Sequence, residues 1–317
     1  MVQGASATAG DEIVDEAEFR ALAAALRTST ARGPHDRRGA LGNLTPEHTL
    51  AALREVRSGR SESLASPVEH EETADNPHPW DHRMSDLPGG DLHSTGLSFA
   101  ADAIALHIHG DADTHIDALC HVAYDGRLYN DVPADVVGPD GATELSIDLA
   151  RDGIVGRGVL LDIPRLRGVP WLEPGEHVTY DELVEAERAQ GLTVGDGDLL
   201  LVRVGHRRRR AHLGPWDAAA ARAGLHPRAV RFAAERRVAM LGSDGNNDTA
   251  PSVATTVEFP VHVLAIQVMG LHLLDYLQLE ELATQCADRG SWAFLCVVAP
   301  LRLPTATGSP INPIAVL

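Results

Sequence analysis

Three short apolar runs punctuated by glycine constrain the fold most: GRGVLLDI (156–163), GDLLLVRVG (197–205) and RRVAMLGSD (236–244). Such runs read as buried strands. Between the first two, TYDELVEAERAQGL has a helical period and closes at Gly191, a candidate C-cap. PWDAAAARAGL reads as another helix ending near Gly224. The tail then runs through EFPVHVLAIQVMG (helix-like), LEELATQCADRG (helix) and WAFLCVVAPLRL (strand). Strands and helices therefore alternate after residue 95 with no internal repeat, which predicts an α/β or mixed layered domain.

Upstream, DEAEFRALAAALRT has apolar positions at helical spacing, and Thr45-Pro46 offers an N-cap and a first-turn proline for a second short helix. Residues 58–90, rich in Ser, Pro, Gly and charge, read as a long irregular connection, either a binding loop or a plain surface excursion. The expected organisation is an N-terminal helical and loop extension over 1–94 that wraps a domain over 95–317.

The chemistry is concentrated in LHIHGDADTHIDALCHVAYDGRLYN, residues 106–130. His107, His109, Asp111, Asp113, His115 and Asp117 stand at every second position, where an ordinary half-buried strand carries apolar side chains. His115 and Asp117 can converge on one metal from an extended segment, and Asp117 and His121 share a face if a helix begins there. A His/Asp set without thiolate suits Zn²⁺, Mn²⁺ or Fe²⁺. The competing reading is buried histidines paired with aspartates for charge satisfaction.

Bulk properties narrow the partners. A net charge of −18 and a pI near 5.2 argue against nucleic acid and anionic membranes, which demand a basic surface. HRRRR (206–210) is the exception and reads as a solvated loop turn. Three cysteines, Cys120, Cys286 and Cys296, form no CxxC pair, so the expected compartment is reducing. The N-terminus has no basic start followed by an apolar run, and no uninterrupted apolar stretch reaches membrane-spanning length, so a cytoplasmic location is expected.

DADTHIDALCH followed by YDGRLYN resembles the HxGTHxDxxxH signature of the cyclase-like metal-dependent hydrolases, a family that includes bacterial kynurenine formamidase and isatin hydrolase. GRGVLLDI, GDLLLVRVG, LGSDGNND, the block VEFPVHVLAIQVMGLHLLDYLQLEEL and the closing PLRLPTATGSPINPIAV match further pieces in order, over roughly residues 95–317. The resemblance implies a layered β/β/α fold of swivelling-domain, cyclase-like type, a divalent metal (Mn or Zn, one or two ions) and a small-molecule substrate. Family members are commonly dimers or tetramers, which implies a homo-oligomer.

Carried over by position, His115 and Asp117 match metal ligands and His121 matches the acid/base histidine. His262 matches a later histidine that helps complete the metal site. Asp275, in LLDYL, falls where the family often has Glu, and Asp244 falls at a pocket position. The first signature histidine aligns with Asp111, so that either this carboxylate ligates or His109 reaches in from two residues upstream. Trp80, Phe99 and Tyr124 stand in segments expected to line the substrate pocket. A divalent ion lowers the pKa of bound water from about 15.7 towards 7 and polarises a carbonyl, so the expected activity is hydrolysis of an amide, imide, lactam or lactone. The family name also admits cyclisation or dehydration of a polyketide-like metabolite, and a non-catalytic metal-stabilised binding protein is the third reading.

Overall fold

A computed structural model describes residues 13–85 and 100–317 of the chain. Its framework is a nine-stranded mixed sheet. From edge to edge the strands are Ser61–Ser63, Ile314–Val316, Ala293–Val298, Ile154–Asp162, Leu199–Arg203, Met240–Ser243, His272–Asp275, His115–Asp117 and Gly308–Pro310. The four from Ile154–Asp162 to His272–Asp275 are parallel neighbours. The first three of these are the glycine-punctuated runs, and Leu199, Leu200, Leu201 and Val202 are fully buried because layers cover both faces. The fold is thus mixed α/β, as the alternation of runs and helical periods predicts.

Helix Tyr180–Gln190 makes the first crossover. Thr179 Oγ1 accepts from Glu182 N while Glu182 Oε2 accepts from Thr179 N, and Gly191 ends the helix at φ 66°. N-terminal helix Glu16–Ser29, capped by Asp15, buries Phe19 and Leu26 and packs against Val263–Met269. Helix Pro46–Ala52 lies on Ile154–Asp162, and Ser61–Ser63 pairs with Ile314–Val316 at the sheet edge. The leading segment is therefore built into the same sheet as the rest of the chain. Residues 58–90 also contribute Asp81–Ser85, which pairs with Ala101–Ala105.

Local readings fail where side chains capture the backbone. PWDAAAARAGL forms turns instead of a helix, because buried Arg222 donates to the carbonyls of Ala218, Ala219 and Asp248 and so takes acceptors a helix would need. HRRRR is no solvated turn: it opens helix His206–Leu213, and Arg207 is buried against the carbonyls of Ala112, Tyr276 and Leu277. No helix follows Asp117 either. A turn with His121 N donating to Ala118 O brings His121 back towards Asp117. EFPVHVLAIQVMG is helical, opening with Pro260–His262 and continuing as a π-helix over Val263–Met269, a form enriched near functional sites.

One arrangement positions the site. Strand His115–Asp117 lies between His272–Asp275 and Gly308–Pro310, with His115 opposite Asp275 and Asp117 opposite Gly308. Three distant stretches of sequence thereby meet at one flank of the sheet.

Candidate metal centre

Asp117 is the hub. Its Oδ1 lies 2.9 Å from His109 Nδ1, 3.7 Å from His115 Nε2 and 4.0 Å from His121 Nε2, and its Oδ2 lies 3.4 Å from His262 Nε2. His262 Nε2 is also 3.4 Å from Asp275 Oδ2. Two sets of donors result, His109–His115–Asp117 and Asp117–His262–Asp275, each with its donor atoms within 4.8 Å of one another. Asp117 belongs to both, as a carboxylate with two oxygens can.

The imidazoles are anchored from behind. His115 Nδ1 donates to Asp113 O at 2.8 Å, His262 Nδ1 to Asp248 Oδ2 at 2.6 Å, and His109 Nε2 meets Thr307 Oγ1 at 2.9 Å. Each ring therefore turns its other nitrogen to the hub, the arrangement that fixes metal-ligating histidines. Asp248 is itself held by the N–H groups of Val261 and His262, and Asp275 accepts from the side chains of Asn246 and Asn247. Asp117 Oδ2 is enclosed without a hydrogen-bond partner. An orphaned buried carboxylate oxygen ringed by anchored imidazoles fits a divalent ion, and the N/O donor set without thiolate fits Zn²⁺ or Mn²⁺.

Charge follows the geometry. Burial works to raise the Asp117 carboxyl, but the imidazoles of His121, His109, His262 and His115 outweigh it and hold it well below the usual carboxylate range. Burial likewise works to lower His262, and the carboxylates of Asp275, Asp117 and Asp248 outweigh it and raise the imidazole. For His121 burial wins and pushes it down to about 4. Beside the centre, His272 is fully buried with neither ring nitrogen bonded, and burial pushes it down to about 4 against the pull of Asp117.

A histidine lowered on folding leaves the unfolded chain binding more protons, so its contribution to stability is intact above about pH 6.5 and is lost as pH falls towards 4. Replacing it with an apolar side chain removes that loss. His272→Leu is expected to stabilise more at pH 5 than at pH 8, by ~2 kcal/mol for this shift from 6.5 to about 4. Thermal melts at both pH values check this, and equal effects at the two would refute it.

The cavity over the hub has a volume of about 570 Å³. His109, Asp111, His115, His121, His262 and Asp275 line one side, and Val122, Ala123, Tyr124, Val257, Phe259 and Val263 give it an apolar side. The structure thus brings together the expected His109, Asp111, His115, Asp117, His121, His262, Asp275 and Tyr124. It sets Asp244 apart: that carboxylate is buried beneath the turn after Leu199–Arg203, with both oxygens accepting from the N–H groups of Val204 and Gly205, and it does not line the cavity. Trp80 stacks on His82, also away from the cavity, and Phe99 lies outside the described residues. Cys120 is buried, and burial pushes its thiol up to about 11.

Sequence reasoning missed Asp248, Asn246, Asn247 and Thr307, which act through the ligand-type residues, and Phe259, which forms the apolar wall. Among the described residues no helix is long and apolar enough to cross a membrane.

Known proteins share the fold that carries these residues. The Cyclase family model, described as "Putative cyclase", matches residues 62–247. A crystal structure described as that of a novel cyclase matches with a TM-score of 0.79 and 31% identity, covering 93% of this chain and 99% of that one. Isatin hydrolase A from Labrenzia aggregata, bound to benzyl benzoate, matches with a TM-score of 0.58 and 19% identity over 81% of this chain and 93% of its own. An isatin hydrolase bound to the product analogue thioisatinate matches with a TM-score of 0.56 and 20% identity over 86% of this chain and 99% of its own. The last two share the fold. No curated protein matches the chain. With well over half its residues under the family model and a relative of such identity along nearly its whole length, the chain belongs to the cyclase family.

Proposed function

We propose that this chain is a divalent-metal-dependent hydrolase that opens an amide, imide, lactam or lactone bond of a small molecule. The observation that carries the reading is the hub: three imidazoles, each anchored on one nitrogen, present the other to the shared carboxylate of Asp117. His109 or Asp111, with His115, Asp117, His262 and Asp275, would hold Zn²⁺ or Mn²⁺. The ion would supply Lewis acidity towards a carbonyl and lower the pKa of water.

The remaining work falls to the chain. His121, neutral above about pH 4, takes a proton from the attacking water and returns it to the leaving nitrogen or oxygen. The wall of Val122, Tyr124, Val257 and Phe259 seats an apolar portion of the substrate and excludes bulk water. Isatin hydrolases of the same fold bind aromatic ligands, which supports a ring-bearing substrate.

The test is elemental analysis of the purified protein together with product masses from a panel of aryl amides, lactams and lactones. The reading expects one or two equivalents of Zn or Mn, and products heavier than substrate by one water. Products of equal or lower mass would favour cyclisation or dehydration. Metal without turnover of any member would favour a binding protein.

A further inference from the structure

We infer that His109 fills the first imidazole position of the centre and that Asp111, its counterpart in the linear motif, is withdrawn from coordination by Tyr276. This rests on the metal-centre reading above and resolves which residue completes it.

The seat for His109 is built from three sides. Thr307 Oγ1 holds Nε2 at 2.9 Å, which leaves Nδ1 facing the hub, 2.9 Å from Asp117 Oδ1. The ring of His121 stacks on it with centroids 3.7 Å apart and planes 8° from parallel. Gly308 forms the floor: a Cβ there would stand 2.7 Å from His109 Cε1, 3.2 Å from its Nε2 and 2.6 Å from Ile116 O. No larger residue fits without moving the imidazole. Strand pairing places Gly308 opposite Asp117, so the element that orients the hub also seats the ring.

Asp111 is held elsewhere. Its Oδ1 accepts from the hydroxyl of Tyr276, whose ring is buried between His115 at 6.3 Å and His206 at 5.2 Å. Arg207 donates to the carbonyls of both Ala112 and Tyr276 and so ties the two segments in this register. Among the described residues Asp111 joins neither set of converging donors, whereas His109 does. The resulting first set is two imidazoles and one carboxylate, with nitrogen where the linear alignment offers oxygen.

The experiment is Zn²⁺ titration of the full chain against a chromophoric competitor, with the visible absorption of the Co²⁺-loaded protein as a second readout. His109→Ala and, independently, Gly308→Ala are expected to weaken Zn²⁺ binding by at least about tenfold and to alter the Co²⁺ spectrum, whereas Asp111→Asn leaves both unchanged. His109→Gln, which keeps a polar side chain on the seat, is expected to behave as His109→Ala and guards against a folding defect. Loss of affinity in Asp111→Asn equal to or greater than that in His109→Ala overturns the assignment, as does unaltered binding in His109→Ala. A wild-type protein that takes up neither ion defeats the metal-centre reading itself, an outcome distinct from any exchange of order among the variants.

Discussion

His115→Ala is expected to lose the bound divalent ion and turnover together. The imidazole is buried, and its bond from Nδ1 to Asp113 O leaves Nε2 a single direction, towards Asp117. No neighbouring side chain can substitute. His109 and His121 are committed to their own stack, and Asp113 accepts from Glu69 N on the far side of the loop. The decisive measurement pairs plasma mass spectrometry with melting curves. An ion that binds only the folded state stabilises by about 2.7 kcal/mol at a hundredfold excess over Kd. Wild type should therefore gain several degrees on adding Zn²⁺ or Mn²⁺, and His115→Ala should gain none while its metal-free melt stays close to wild type. A variant that keeps its ion would show that His115 is only a satisfied core histidine.

Much of this centre is legible in the chain because its ligand-type residues sit in short fixed patterns. THIDALCH supplies His115, Asp117 and His121 within seven residues, whereas the histidine of FPVHVLAI, in an otherwise apolar stretch, reads by itself as a satisfied core residue and is raised to a ligand only by its match to the family pattern. The buried strands are legible for the same reason, since apolar runs bounded by glycine have few alternatives in a domain of this size. What fails is whatever depends on a partner far along the chain. GSDGNND offers two aspartates four residues apart, and local pattern cannot say which one faces the site. The choice of Asp248 is made by the N–H groups of Val261 and His262, and Asp244 is claimed by Val204 and Gly205. Thr307 and Gly308 carry no signal of their own; they matter because an edge strand of three residues pairs opposite Asp117. Arg207 and Arg222 mislead in the opposite sense. Charge suggests solvent, yet both are buried with backbone carbonyls as partners, and Arg222 prevents the helix that an alanine-rich stretch favours.

The contrast among the histidines yields the second large effect. His109, His115 and His262 are each anchored behind the ring, whereas the imidazole of His121 has no hydrogen-bond partner among the described residues and is held by ring contacts, stacked on His109 and edge-on to His262. A ligand profits from anchoring; a proton carrier must exchange partners as it turns over. His121 Nε2 stands 4.0 Å from Asp117 Oδ1 on the cavity lining, and burial keeps the ring neutral down to about pH 4, ready to accept a proton. His121→Ala should therefore retain the wild-type equivalents of metal while turnover falls by roughly 10²–10⁴, the range for loss of a general acid/base. The pH profile separates this from a loss of packing. Protonation of His121 removes the base, so wild-type activity should decline as pH drops through the imidazole pKa, and that acid limb should vanish from the residual activity of His121→Ala. A variant with undiminished turnover and an unchanged acid limb would place the proton transfer on another group, and Asp111, a carboxylate that lines the same side of the cavity and joins neither donor set, would be the next to replace.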